Sequence, residues 1–282
     1  MGTRSSGGGR GGAKGTEGPS YQPGGVRGTP TSTRPSLDGL SRQEIMARYQ
    51  TSVVNLTQRG IRIDSNFDGI AKTEDFMKAR ITGLEAVEDT LAHERENGLR
   101  LPDSIVFAEL GQDAAFAQTR SSYLRDTGER LSGSTEILIN VAAAEDLGLG
   151  ERAPVWYGLD EMERQLGLPA AAINRDTARP YLHSPEYTIT HELVHSDFHQ
   201  THPYVPNDNF LMKVNGDQFF GDRAFPLYQA DRALTMYSTT MPSEFVAEVG
   251  AGLMYGTAYS KDTMDFYREL GGRDYRPGTH VQ

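Results

Sequence analysis

Residues 187–195 read Tyr-Thr-Ile-Thr-His-Glu-Leu-Val-His and contain an H-E-x-x-H motif. His191 and His195 are four residues apart, so on an α-helix both imidazoles leave the same face and can bind one metal ion. Glu192 lies next to the first histidine, where it can reach a water on the metal and act as a general base. The segment therefore predicts a helix that carries a zinc site.

The residues around the motif favour the same interpretation. Ser184 and Pro185 supply an N-cap and a proline at the first helical position, so the helix is predicted to begin there. Tyr187, Val194 and Phe198 give the helix the apolar side that a buried active-site helix needs. By chance alone the motif would occur in about one in a hundred chains with this histidine content.

A catalytic zinc ion takes three protein ligands and leaves the fourth position to water, so a third ligand is needed. The chain has no cysteine, which leaves histidine or a carboxylate. The metzincin continuation is absent, because Phe198 and Thr201 stand at its glycine and histidine positions. His199 lies one turn beyond His195, too far along a straight helix to share the ion, and we expect it beside the site at most.

A second candidate ligand helix begins at Pro242 and carries Glu244 and Glu248 on one face. Like charges at this spacing repel each other, and a nearby cation would explain the pair. The alternative is that both carboxylates lie on a solvated face. Three small residues on the helix favour close packing against another helix instead: Ala247, Gly250 and Ala251.

Taken in order, these residues resemble the catalytic domain of the anthrax lethal factor family of zinc metallopeptidases. Related gluzincins, including the secreted Pro-Pro endopeptidases, share the pattern of an H-E-x-x-H helix, a tyrosine and then a zinc-binding glutamate. That glutamate follows the tyrosine by seven residues and opens an E-F-x-A-E type helix, and Tyr237 stands seven residues before Glu244 here. The resemblance covers residues 185–256, about a quarter of the chain.

The resemblance implies a role for each of these side chains. Glu244 is the third ligand of a single Zn²⁺ ion, and Glu248 is a partner that orients a ligand histidine. Tyr237 donates a hydrogen bond to the oxyanion of the tetrahedral intermediate, a role that the chemistry requires of some donor near the metal. The sequence differs from lethal factor after His195, so the resemblance does not extend to substrate specificity.

The predicted function is that of a zinc-dependent endopeptidase acting on a protein or peptide substrate. We expect the strand at Thr135–Ala142 to be the sheet edge that pairs with an extended substrate. One alternative is a zinc-binding scaffold without catalysis, whose metal site is closed by a fourth protein ligand such as His199 or Glu248. Another alternative is amide hydrolysis in cell-wall material.

The predicted fold is α+β: a mostly helical, zincin-like domain with a small mixed sheet, spanning residues 37–282. Helical periodicity and capping signals predict helices at Ser41–Gly60, at Thr73–Asn97 and around Leu159–Leu166. Apolar runs predict strands at Ser104–Ala108 and Thr135–Ala142. We expect the two strands to share one sheet.

Residues 1–36 are predicted to be a disordered arm, because 11 of the 31 glycines fall within the first 30 residues. The arm has five basic residues and one acidic residue, a charge of +4 that leaves −14 on the remainder. A domain this acidic is not expected to bind nucleic acid. No apolar run approaches the roughly 18 to 20 residues that a membrane span needs.

The start of the chain fits the loose pattern for N-myristoylation at Gly2, which would give a peripheral membrane contact. It has no apolar segment of the secretory type, so we do not expect Sec-dependent export. With the resemblance, these features favour a bacterial toxin or effector, secreted or translocated into a target cell without a Sec-type signal peptide. The alternative is a cytoplasmic housekeeping peptidase. A monomer is expected in either case.

Overall fold

The computed structural model describes residues 34–64, 74–94, 97–108, 117–122, 130–140, 185–202, 217–231, 233–235 and 237–277. Over these residues the fold is α+β, with six α-helices, one 3-10 helix and a four-stranded mixed sheet, which confirms the predicted fold class. Three predictions lie wholly or mostly outside the described residues: the disordered arm at residues 1–36, the helix at Leu159–Leu166 and the N-cap at Ser184. Residues 34–36 of that arm are described, and Arg34 donates hydrogen bonds to Asp89 on the second described helix. None of the described helices combines the length and the apolar character needed to cross a bilayer.

Four of the six described helices lie where the sequence predicts a helix. The six are α1 (Arg42–Gln58), α2 (Glu74–Glu94), α3 (Pro185–Thr201), α4 (Asp217–Ala230), α5 (Pro242–Met254) and α6 (Lys261–Glu269), and the 3-10 helix is Tyr237–Thr239. The start of α1 is fixed by a capping box, in which the Ser41 hydroxyl accepts from the Glu44 amide and the Glu44 carboxylate accepts from the Ser41 amide.

The sheet consists of β1 (Arg62–Asp64), β2 (Ser104–Ala108), β3 (Ala117–Arg120) and β4 (Glu136–Asn140), in the spatial order β1-β2-β4-β3. The strands β1, β2 and β4 are parallel, whereas β3 runs antiparallel to β4 and pairs Ala117 with Ile139. The two strands predicted from apolar runs, β2 and β4, are therefore direct neighbours.

The expectation that the strand at Thr135–Ala142 is the sheet edge is wrong. This strand, β4, lies between β2 and β3, and the edge of the described sheet on that side is β3. Ile137, Leu138 and Ile139 are successive residues and all are buried, so both faces of this strand are covered. An apolar run of this kind indicates burial of the two faces and does not indicate whether a strand lies on each side; here β2 and β3 both pair with β4.

Two clusters of buried apolar side chains form the core, and α3 contributes to both. The first cluster joins α1, α2 and the sheet, and receives Ile189 and Leu193 from α3. The second cluster joins α4, α5, α6 and the chain after α6, and receives Tyr187, Val194 and Phe198 from α3. The helix that carries H-E-x-x-H is thus enclosed between the two clusters.

The prediction of close helix packing at the small residues of α5 is confirmed. Ala247 and Ala251 are completely buried, and α5 packs directly against α3. A Cβ atom at Gly250 would lie only 2.8 Å from Cγ1 of Val194. The absence of a side chain at this glycine therefore lets the two helices approach closely enough to share a site.

Candidate metal centre

Helices α3 and α5 bring three possible metal donors together. His191 and His195 lie one turn apart on α3 with their Nε2 atoms 3.1 Å apart. Glu244, in the first turn of α5, places Oε2 at 3.0 Å from the first of these nitrogens and at 3.1 Å from the second. The three donors therefore form a nearly equilateral triangle. Both histidines are 6% exposed, so little solvent reaches them.

The triangle has the dimensions of one face of a zinc coordination shell. Zinc bonds of about 2.0 Å in tetrahedral geometry place neighbouring donors about 3.3 Å apart. Hydrogen bonds alone do not satisfy all three contacts. If both Nε2 atoms carry protons, the two N–H groups face each other. If one of them lacks its proton, its lone pair faces a lone pair of the Glu244 carboxylate. A cation among the donors removes this conflict, so the residues present fit a zinc ion.

The electrostatics of the site favour positive charge. Burial lowers the pKa of His191, but the hydrogen bond and charge of Glu244, with the charges of Glu248 and Glu192, outweigh it and raise that pKa to about 9. Burial would raise the pKa of Glu244, yet the two histidines hold it far below its usual range. The same negative potential that favours a proton here favours a divalent cation.

Glu248 lies behind His191, on the side of the ring away from the donor triangle. Its Oε1 is 3.6 Å from Nδ1 of that histidine, and its Oε2 accepts a hydrogen bond from the Tyr187 hydroxyl at 3.2 Å. The carboxylate is therefore placed as the resemblance implies, as a partner of a ligand histidine. Nδ1 of His195, by contrast, is buried and has no hydrogen-bond partner among the described residues.

Glu192 and Tyr237 lie at the same site. Glu192 is buried, and its main-chain carbonyl accepts a hydrogen bond from the Thr119 hydroxyl of β3 at 2.8 Å. The ring of Tyr237 is centred 6.0 Å from that of His191. Burial raises the pKa of Tyr237, and the charges of Glu244 and Glu192 raise it further, so the hydroxyl stays protonated and able to donate.

His199 lies beside the donor triangle and outside it. Its ring is stacked on that of His195, with the centroids 5.9 Å apart and the planes 15° apart. Burial lowers the pKa of His199 to about 4, and the neighbouring His195 and His202 add to the effect, so the side chain is neutral at pH 7. Within the described part of the chain, the group of possible metal donors is His191, His195 and Glu244.

Sequence reasoning missed Asp197, two residues after the motif. Its side chain is completely buried and accepts hydrogen bonds from the Arg100 amide at 3.0 Å, the Arg273 guanidinium at 2.6 Å and the Tyr275 hydroxyl at 2.8 Å. These bonds tie the end of α3 to the segment before β2 and to the chain that follows α6. No local pattern marks this role, because all three partners are distant in sequence.

Comparisons with known proteins give one distant structural similarity. No protein-family model matches the sequence, and no curated protein matches it. Among solved structures, the chain is similar to the crystal structure of a "putative zinc-binding metallo-peptidase" from Bacteroides caccae ATCC 43185. The similarity has a TM-score of 0.38 and 14% sequence identity, and covers 83% of this chain and 81% of the other.

Proposed function

We propose that this protein is a zinc-dependent endopeptidase whose metal ion is held by His191, His195 and Glu244. The observation that carries the proposal is the largely buried triangle of donors, with edges of 3.0 to 3.1 Å, built from an H-E-x-x-H helix and a second helix. Three protein donors are the number that a catalytic zinc ion takes, whereas a structural zinc ion takes four.

The chemistry follows from the residues around the triangle. A zinc ion held there supplies an activated water and a Lewis acid for the scissile carbonyl. Glu192 takes the proton of the attacking water and passes it to the leaving amine as the peptide bond breaks. Tyr237, which stays protonated, donates a hydrogen bond to the oxyanion that develops on the carbonyl oxygen. Glu248 keeps His191 oriented during these steps.

We assign the substrate-pairing edge to β3, in place of β4. On one side β3 pairs with β4, and within the described sheet its other side has no neighbouring strand. The Thr119 hydroxyl connects this strand to the carbonyl of Glu192, so a peptide added to β3 would lie near the proposed general base. Main-chain pairing with an extended segment is a common way to bind peptides at a sheet edge.

The biological role belongs to the same proposal. The resemblance to the lethal factor family, with the basic Gly-rich arm at residues 1–36, supports a toxin or effector delivered into another cell. In that role the protein acts as a monomer on a host protein, and Gly2 offers a site for myristoylation. A housekeeping peptidase of the cytoplasm is the alternative. Deleting residues 2–33, which leaves the contact between Arg34 and Asp89 in place, distinguishes them, because an effector would keep its peptidase activity in vitro and lose its delivery.

The direct test combines metal analysis with Glu192→Gln. We expect the purified protein to contain one zinc ion per chain and to cleave members of a proteome-derived peptide library. The Glu192→Gln variant should retain zinc and lose activity by about 100-fold or more, because the proton acceptor is gone. Glu269→Gln, a change of the same type on the surface, is the control and should leave cleavage unchanged.

Two results would contradict the proposal: a chain that binds no zinc, or a Glu192→Gln variant as active as the wild type. A chain that binds zinc and cleaves nothing in the library would favour the non-catalytic scaffold. In that case a structure with the metal bound should show a fourth protein ligand and no water on the ion.

A further inference from the structure

We infer that Tyr187 is a positioning residue of the metal centre, which fixes the orientation of His191 through Glu248 and thereby sets the affinity for the metal. The inference rests on the metal-binding part of the proposed function and does not depend on peptidase activity.

The geometry places four side chains in a chain of three contacts between two helices. Tyr187 lies one turn before His191 on α3, and Glu248 lies one turn after Glu244 on α5. The Tyr187 hydroxyl meets Glu248 Oε2 at 3.2 Å, Glu248 Oε1 lies 3.6 Å from His191 Nδ1, and His191 Nε2 lies 3.0 Å from Glu244 Oε2. The tyrosine is thus connected to the donor triangle through one carboxylate.

The tyrosine itself is held firmly. It is 4% exposed, and its ring packs edge-on against Tyr255 with the centroids 5.1 Å apart. A buried tyrosine needs a hydrogen-bond partner for its hydroxyl, and the Glu248 carboxylate provides one. The hydroxyl therefore has a fixed position from which it constrains the carboxylate.

The tyrosine in turn holds Glu248. This glutamate is 4% exposed, and a buried carboxylate is costly unless its oxygens accept hydrogen bonds. With Oε2 held by Tyr187, Oε1 stays directed at His191 Nδ1. At 3.6 Å this contact is electrostatic, and the carboxylate charge favours the ring proton at Nδ1, which leaves the Nε2 lone pair free for a metal.

The two candidate ligand histidines differ in this respect. His195 Nδ1 has no hydrogen-bond partner among the described residues, whereas His191 Nδ1 faces a carboxylate. Orientation by an acceptor is therefore concentrated on His191, and a change in the Tyr187 contact should register in metal binding through that ring.

The test measures zinc affinity in Tyr187→Phe by competition with a chelator of known affinity. We expect affinity about 10-fold weaker than in the wild type, at the lower end of the range for loss of a partner of a metal ligand. Visible absorption of the Co²⁺-substituted protein should also change, because the ligand geometry changes. Tyr267→Phe is the matched control, since it removes a buried hydroxyl that donates to the Arg273 carbonyl at 2.6 Å and does not contact Glu248.

A double-mutant cycle with Glu248→Gln separates this role from simple packing. If Tyr187 acts through Glu248, Tyr187→Phe should weaken zinc binding no further when Glu248→Gln is already present. Fully additive effects would overturn the inference, as would wild-type affinity in Tyr187→Phe or an equal loss in Tyr267→Phe. The wild type could bind zinc and cleave no peptide while the variants show the expected differences in zinc affinity. That result would overturn the proposed function and leave the inference standing.

Discussion

Gly250 determines how closely α5 approaches α3, and Gly250→Ala should therefore open the metal centre. The added Cβ atom would lie 2.8 Å from Val194 Cγ1 and 3.0 Å from Tyr275 Cε2. Carbon atoms in contact normally stay about 3.5 to 4.0 Å apart, so the helices must separate by roughly 0.7 Å. Val194 cannot rotate away, because a β-branched side chain in a helix has one strongly preferred rotamer.

The separation reaches the donors because Val194 is adjacent to His195. The donor triangle now has edges of 3.0 to 3.1 Å, and zinc needs about 3.3 Å, so an added 0.7 Å on the edges to Glu244 stretches them beyond the coordination shell. Overpacking costs about 1 to 3 kcal/mol, and the gain from alanine in a helix offsets about 1 kcal/mol of it. We expect the free energy of unfolding to fall by about 0 to 2 kcal/mol, together with weaker zinc binding.

The measurement is denaturant unfolding of the metal-free protein and chelator competition for zinc. Gly221→Ala is the control, because a Cβ atom at Gly221 in α4 would have no atom within 4 Å. In that variant the free energy of unfolding should rise by about 0.5 to 1 kcal/mol from helix propensity alone, and zinc should bind as in the wild type. The reasoning is refuted if Gly250→Ala is as stable as Gly221→Ala and binds zinc as tightly.

Three further predictions concern the surroundings of the site. Thr119→Val removes the hydroxyl that donates to the Glu192 carbonyl and should lower kcat with zinc content unchanged, while Thr119→Ser should restore it. Asp197→Asn should lower the free energy of unfolding by about 2 to 3 kcal/mol in denaturant unfolding, because it replaces a buried acceptor oxygen with an NH2 group that faces other donors. The exposed change Asp265→Asn should have no measurable effect. Removal of zinc by a chelator should lower Tm. Free zinc restored at 100 times its Kd should raise the free energy of unfolding by about 2.7 kcal/mol.

Elements with a strong local signal were predictable from the sequence. The stripe of α2 at Met77, Ile81, Leu84, Val87 and Leu91 is completely or almost completely buried, as helical periodicity indicates. The boundaries of β2 agree with the apolar run that predicts it. In such segments the order of apolar and polar residues directly predicts which side chains are buried.

Elements without such a signal were not predicted. The strand β3 has only four residues, of which Gln118 and Arg120 are exposed, so its composition does not distinguish it from a loop. The helix α4 contains Pro226, which sequence reasoning takes as a helix breaker. The neighbours of β4 were misjudged because an apolar run reports burial and does not report which strands lie beside it.

The same division applies to the site. The spacing of His191 and His195 is a property of one helix and could be read locally. The position of Glu244 depends on the packing of α5 against α3, for which the sequence offered only the small residues and the resemblance. Tyr187 looked like an apolar flank of the motif, because its contact with Glu248 joins residues 61 positions apart.

The position of α3 between two apolar clusters has a consequence for how the molecule unfolds. Ile189 and Leu193 belong to one cluster, and Val194 and Phe198 to the other, so neither cluster can melt without exposing side chains of the helix they share. Loss of either half removes a wall of the metal centre. The described part of the domain should therefore unfold as one cooperative unit, with the metal site lost in the same transition.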